Sequence, residues 1–383
     1  MGWLTASEAL AVLGIQPQTL YANVSRGRIR AKPDPKDSRR SLYHSADVRR
    51  LASRHGGRRS AAAVAAETIG WGDPVLASGV STVTRGRLWY RGQDAVMLSA
   101  TATLEDIAAL LWEAREVQFE PFGPIEKRQE HRQHPLHAAL LALSIRVATD
   151  PPTRGRSTNV LAGEAASLVS LLAHAMTGAR TCSVPLHVRI ASAWKAPRAQ
   201  DILRRALVLL ADHELNASTF AARVAVSTGA PLSAGLTAGL CALSGPLHGG
   251  ASVVARALVE SAEQIGADAA VRRWLARGDP LPAFAHPLYA EGDPRAVELL
   301  ARFALPPVFA QLRSVVASLT GEHPNVDFAI AAMAEAYHLP PTAPFTIFAI
   351  ARSVGWTAHI LEQAATGSLI RPRARYVGPS PPS

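Results

Sequence analysis

A chain of 383 residues, 48% hydrophobic but only 6% aromatic, has the length for two or three domains and a composition suited to packed helices. Cys182 and Cys241 are too few for a disulfide framework and lack metal-ligand spacing; no apolar run reaches the roughly 18 residues that span a bilayer, and Met1–Glu8 is no signal peptide, so a cytoplasmic protein without a metal is expected. The net charge of +10 is lopsided: residues 1–60 hold twelve Lys/Arg against four Asp/Glu, +8 of the total, which points to a polyanion partner for this head.

Thr5-Ala-Ser-Glu8 has the spacing of a capping box and predicts a helix over Ala6–Leu13 that stops at Gly14. Pro17 suits the first residue of a second helix, running to Ser25 and ending near Gly27. Two short helices joined through a glycine suggest a helix-turn-helix. Arg28–Lys32 and Arg39–Tyr43 read as strand-like pieces around a turn-rich Pro33–Ser38, which makes a wing; a third helix is expected from about Ala46 to Arg54. The head resembles the winged helix-turn-helix of the excisionase and MerR kind. That resemblance implies DNA binding by residues 1–56, with Gln18, Thr19, Tyr21 and Asn23 facing the major groove and Arg39 and Arg40 reaching phosphates. The alternative is a small basic helical domain used for protein contacts.

Residues 57–74 read as a linker. Gly79–Tyr90 alternates enough for one hairpin turning at Arg85-Gly86. From Leu104 the pattern is helical almost throughout. Leu104, Ile107, Ala108 and Leu111 form one apolar stripe, and Leu136, Leu140 and Ile145 contribute to another. Residues 115–135 mix charge with Pro and Gly and read as a solvated connection; residues 379–383 read as a disordered tail.

Ser244-Gly-Pro-Leu-His248-Gly-Gly-Ala251 brackets a histidine with glycines, which let the backbone pass close to a ligand. The run from Ala251 to Ala262 reads as a helix. His248 then precedes a helix N-terminus, whose dipole disfavours imidazolium and leaves a neutral hydrogen-bond donor. Pro324-Asn-Val-Asp327 opens another helix, with Val326, Ile330, Met333 and Tyr337 on its apolar face. On position alone Asp327 is an ordinary first-turn acid. Between Val326 and Phe328, desolvation would raise its pKa, as a base requires. Arg352 interrupts the apolar helix Phe345–Trp356, where an unpaired guanidinium is very costly, so an acidic side chain or a ligand carboxylate must meet it.

At Gly245–Gly249, Phe284-Ala-His286-Pro-Leu-Tyr-Ala-Glu-Gly-Asp-Pro-Arg295 and His323-Pro-Asn-Val-Asp327-Phe328, the chain resembles the citrate synthase family. Leu88–Gly92, Asp212–Phe220, Ala351–Trp356 and Ile370–Arg373 extend the match, in family order, over residues 75–378. The resemblance implies a mainly α, citrate synthase-like fold: a large helical domain with a smaller one, roughly 250–335, inserted in it. It implies condensation of acetyl-CoA with oxaloacetate, with acetyl-CoA as co-substrate and no bound cofactor. Asp327 matches the family's base; His248 and His286 match the donors to the acetyl-CoA enol and the oxaloacetate ketone. His213, Arg295, Arg352 and Arg371 match oxaloacetate ligands, and Arg371 corresponds to one that crosses from a second subunit, which implies a homodimer. Propionyl-CoA as the acyl donor, and a regulator whose body senses a metabolite without turning it over, stay open. The chain departs from the family after the second histidine, where basic residues for the CoA phosphates are replaced by Pro287–Glu291; Arg272, Arg273 or Arg277 would have to substitute. His187 and His359 are expected to be structural.

Overall fold

The computed structural model describes residues 3–13, 17–25, 29–34, 37–45, 47–48, 76–120, 134–180, 183–249, 251–374, 376 and 378–379. The expected linker at 57–74, most of the third helix beyond Val48, and residues 380–383 of the expected tail lie outside this set. Two compact units form, Met1–Ala77 with Pro372–Ser383, and Ser78–Arg371.

In the first unit, α1 (Ala6–Leu13) and α2 (Pro17–Ser25) take the expected bounds. The capping box is made: the Thr5 N–H donates to Glu8 Oε2 at 2.8 Å, and the Glu8 N–H donates to Thr5 Oγ1 at 3.4 Å. A three-stranded antiparallel sheet has β3 (Asp37–His44) between β1 (Trp3–Leu4) and β2 (Ala31–Asp34), with Trp3 opposite His44 and Ala31 opposite Tyr43. The strands consume most of the expected turn, because pairing reaches Asp34 and Asp37. A two-residue β1 is too short to show alternation, and only its pairing reveals it. Ala9, Leu13, Leu20, Ile29, Tyr43 and Val48 make a small core, and Asp47 closes it by gripping Arg30 at 2.7 Å.

The body opens with the expected hairpin, β4 (Ser81–Thr84) and β5 (Arg87–Tyr90), turning at two left-handed residues, Arg85 (φ 52°) and Gly86 (φ 69°), as a two-residue turn requires. β6 (Gln93–Asp94) adds a third strand. The helices α3 (Ala95–Ser99), α4 (Leu104–Trp112), α5 (Pro135–Thr149), α6 (Thr158–Thr177), α7 (Leu186–Ala193), α8 (Gln200–Leu210), α9 (Ala217–Ser227) and α10 (Leu232–Leu243) follow. The α4 stripe is buried as expected. Two expectations hold only in part. Of the expected solvated connection at 115–135, residues 121–133 lie outside the described set; Arg115, Glu116, Gln118 and Glu120 are exposed, but Val117 and Phe119 are buried, with Phe119 edge-on to Trp112 at 6.3 Å and its carbonyl held by Arg189. On α5, Leu136 and Leu140 of the expected stripe pack against the core half-buried, but the fully buried positions are Ala139 and Leu143 and Ile145 is exposed. One helix, α6, is long and apolar enough to cross a membrane, but Leu161, Leu168, Val169 and Leu172 put it in the core.

The centre of the body is α16 (Ala343–Thr366), packed on α4, α6, α8, α9 and α10. Protein surrounds it, so nearly every residue from Ala343 to Leu361 is buried, polar ones included. Between α10 and α16 lie α11 (Ala251–Ile265), α12 (Ala267–Leu275), α13 (Pro294–Leu300), α14 (Pro307–Thr320) and α15 (Val326–Ala336). A second hydrophobic cluster, including Leu258, Val271, Phe309, Leu312 and Val316, is confined to Ala255–Ala332. α15 is shared: Val326, Ile330 and Met333 face the large cluster, Phe328 and Ala332 the small one.

Candidate active site

Two loops from the smaller cluster are zipped together. Phe284 forms an antiparallel bridge with Pro324, the Ala285 N–H donates to the His323 carbonyl at 2.8 Å, and the Asn325 N–H donates to the Ala283 carbonyl at 3.0 Å. Ala283 and Ala285 hold left-handed backbone (φ 65° and 54°), a local strain that the bridge sustains. His286 and Asp327 therefore leave the same junction. Asn325 caps α15 by accepting from the Asp327 N–H at 2.9 Å. Asp293 binds both sides: it holds Arg295 bidentately at 2.9 and 2.8 Å and accepts from the Val326 N–H at 2.9 Å.

The aromatic groups converge next. The rings of His213, His286 and Tyr289 lie within 4.9–5.6 Å of one another, and Tyr289 shares a 2.9 Å hydrogen bond with His213 Nε2. The Leu288 N–H donates to His286 Nδ1 at 3.2 Å, so the neutral ring carries its proton on Nε2. Burial, then Arg295, pushes His286 down to about 4. Burial with Arg295 and Arg352 holds His213 well below its ordinary value. His248 falls to about 4, by burial and then Arg352. The neutral imidazole expected from a helix dipole is here the work of desolvation and a nearby cation.

His248 Nε2 lies 2.8 Å from Ser218 Oγ, which accepts from Trp356 Nε1–H at 3.0 Å and donates to Asn216 Oδ1 at 2.7 Å. When the hydroxyl proton turns to His248 instead, the imidazole's own proton sits on Nδ1, free to donate.

The Asp327 carboxylate accepts no hydrogen bond among the described residues. Burial lifts it to about 6, against the pull of Arg295 and Arg352. Arg295 sits buried on the Asp293 carboxylate, its guanidinium 5.2 Å from the Tyr289 ring centre. Arg352, 1% exposed, lies over Phe348 at 4.8 Å and donates from Nε to the Leu210 carbonyl at 3.0 Å. No carboxylate stands within ion-pair distance of it among the described residues. Its main electrostatic partner is Asp212, which is taken by Ser81 Oγ and, at 3.2 Å, by His359 Nε2. Burial would raise the Asp212 carboxyl, but His359, Arg352 and Ser81 hold it low. His359 thus proves to be a fully buried partner of Asp212, in line with the structural part expected of it.

Six of the seven sequence-derived positions meet through shared contacts or electrostatic reach: His213, His248, His286, Arg295, Asp327 and Arg352. Arg371 does not, being exposed on the stretch after α16. Tyr289, Ser218, Asp293 and Asp212 were not singled out from sequence. Tyr289 and Asp293 stand inside the His286–Arg295 motif, which is the one signal that marks them. Of the substitutes for CoA-phosphate binding, Arg272 is paired with Asp268 at 2.8 Å and Arg277 stacks on Trp274.

In the head, Gln18, Thr19 and Tyr21 are exposed on α2, and Arg39 and Arg40 fall in β3, their side chains outside the described set. Asn23 corrects an expectation: it is buried and its amide donates back to the Thr19 carbonyl at 2.9 Å, so it cannot read a groove.

The family profile "Citrate synthase, C-terminal domain" matches residues 70–373. Citrate synthase 2 of Bacillus subtilis is 31% identical over 346 residues, 79% of this chain and 93% of that protein. The 2-methylcitrate synthase of Mycobacterium tuberculosis (strain Erdman) is 38% identical over 191 residues, covering 45% of this chain and 47% of that protein. The crystal structure of citrate synthase from Thermotoga maritima superposes with a TM-score of 0.67 at 26% identity, over 82% of this chain and 96% of that one. With a profile spanning most of its length and a relative 31% identical over 79% of it, this chain belongs to the citrate synthase family.

Proposed function

We propose that the body condenses acetyl-CoA with oxaloacetate and hydrolyses the resulting citryl-CoA to citrate and CoA. Asp327 takes a proton from the acetyl methyl group while His248 donates to the thioester oxygen, so charge develops on a hydrogen-bonded enol. The enol carbon attacks the oxaloacetate ketone, polarised by His286 Nε2–H, and water then cleaves the thioester. His213, Arg295 and Arg352 hold the two carboxylates. The observation that carries this is a half-buried carboxylate lifted to about 6 in the electrostatic reach of a buried guanidinium that has no carboxylate at ion-pair distance among the described residues. Closure of the Ala255–Ala332 unit over the substrates would exclude water until the carbon–carbon bond exists.

Arg371 would be supplied by the second subunit of a dimer. Leu141, Ile145 and Val160, all exposed on α5 and α6, favour such an interface. Sedimentation of a Leu141→Asp protein reads it: a monomer is expected. The head, with its helix pair, antiparallel sheet and exposed Gln18, Thr19 and Tyr21, would bind DNA through α2 and β3, as a winged helix-turn-helix does.

The deciding experiment is thiol release by the full-length protein with oxaloacetate and either acetyl-CoA or propionyl-CoA. Release with acetyl-CoA upholds the reading. Release with propionyl-CoA alone selects the methylcitrate reaction, the second reading favoured by the Mycobacterium tuberculosis relative. Oxaloacetate binding without any thiol release identifies a sensor.

A further inference from the structure

Tyr289 is 3% exposed and touches three of the groups assigned above to oxaloacetate. Its hydroxyl is 2.9 Å from His213 Nε2, its ring centre 4.9 Å from that of His286, and its face 5.2 Å from the Arg295 guanidinium. Among the described side chains, Tyr289 is the one hydrogen-bonded to the His213 ring. We infer that Tyr289 is a positioning residue for the dicarboxylate: its hydroxyl fixes the rotation of His213 and couples its tautomer to the phenol proton, and its ring holds the Arg295 fork in place. The inference rests on reading this pocket as the oxaloacetate site.

A neutral imidazole binds an anion only through an N–H. His213 is kept neutral by burial and two guanidiniums, and Tyr289 stays protonated because burial pushes it up to about 12. The pair therefore holds one phenol proton and one imidazole proton. If Nε2–H donates to the phenol, the phenol O–H is released toward the ligand; if the phenol donates to Nε2, the imidazole proton is on Nδ1. In both cases the hydroxyl decides which proton faces the substrate. Without it, Nε2 is left unpaired in a buried site and the ring loses the one side chain that holds its rotation. Arg295 is oriented twice, by Asp293 at its edge and by Tyr289 at its face.

A packing role alone and this positioning role separate in two substitutions. Tyr289→Phe keeps the ring and its contact with Arg295 but removes the hydroxyl; Tyr289→Leu removes both. The measurements are titration calorimetry with oxaloacetate and steady-state thiol release with varied oxaloacetate and acyl-CoA. For Tyr289→Phe, the oxaloacetate Kd and KM are expected to rise roughly 3- to 10-fold, the worth of one hydrogen bond, with a smaller change in kcat and none in the acyl-CoA KM. Tyr289→Leu is expected to raise the oxaloacetate Kd further. Unchanged oxaloacetate affinity in Tyr289→Phe, or a fall in kcat alone, overturns the inference. If the wild-type protein binds oxaloacetate but releases no thiol, the condensation reading fails and the Kd of Tyr289→Phe still decides this one. If it does neither, both fall.

Discussion

Asp327 carries the sharpest consequences at the scale of a single residue. Its carboxyl ordinarily titrates at 3.8 and does so at about 6 in the folded chain. Between those values the native state binds the extra proton, so the stability that this provides is present at low pH and lost as pH rises through about 6. Above it, folding carries a desolvated carboxylate. Asp327→Asn should therefore raise Tm above pH 6 and leave it unchanged below pH 4, while turnover falls about 10²–10⁴-fold and oxaloacetate binding survives. The same shift sets the acid limb of kcat/KM near pH 6, because His248 and His286 already stay neutral down to about 4. Melting curves across pH and a pH–rate profile check both; a limb near 4 would move the base elsewhere.

Arg352 makes the complementary case. It holds one backbone carbonyl and a ring face, and Asp212 acts on it only from beyond ion-pair distance, so its charge is poorly compensated in the unliganded protein. Oxaloacetate should then raise Tm by binding the folded state alone. Arg352→Leu should abolish that shift and leave the unliganded protein as stable or more so, since a buried charge becomes apolar surface. A full oxaloacetate shift retained in Arg352→Leu would remove Arg352 from the list of ligands.

Among the elements, α16 does most to assemble the site. It carries Phe348, Arg352 and Trp356 along one buried length and meets the 210–213 turn, which carries Asp212 and His213. The approach is close because position 355 is a glycine. Its N–H donates to the Ala211 carbonyl at 3.1 Å, and a Cβ there would run into that oxygen and the Asp212 carboxylate. Neither backbone nor a fully buried acid yields easily, so Gly355→Ala should cost about 1–3 kcal/mol or more in denaturant unfolding. It should also weaken oxaloacetate binding, because His213 rides on the displaced turn. A destabilised variant with unaltered oxaloacetate affinity would show that the turn moves without its ligands.

For the whole molecule, charge and fold are divided between the two units. The head holds +8 of the +10 and has its own small core; the body is nearly neutral and holds every residue proposed for condensation. A chain lacking residues 1–60 should keep thiol release and lose DNA retention, and the full-length chain should release DNA steeply as salt rises. Gel-shift titrations of both forms decide it. Equal retention would return the head to protein contacts.

Local signals in the sequence determined a large part of this protein. The Thr5–Glu8 box, Pro17, the Arg85-Gly86 turn and the Leu104–Leu111 stripe act within a few residues of themselves, so spacing alone located α1, α2, the hairpin and the inner face of α4. The motif residues owed more to the family resemblance than to local chemistry: on position alone Asp327 is an ordinary first-turn acid, and only Arg352, a charge in the middle of an apolar helix, stands out by itself. Only the tertiary structure decided what depends on residues far apart in the chain. Asn23 turned inward onto its own helix, Phe119 was drawn into the core beside Trp112, and α5 presented Ala139 and Leu143 rather than Ile145. Tyr289 met His213 across 76 residues, and Ser218 met Trp356 across 138. A carboxylate's pKa and an arginine's missing partner are sums over such distant neighbours, and periodicity along the chain carries no record of them.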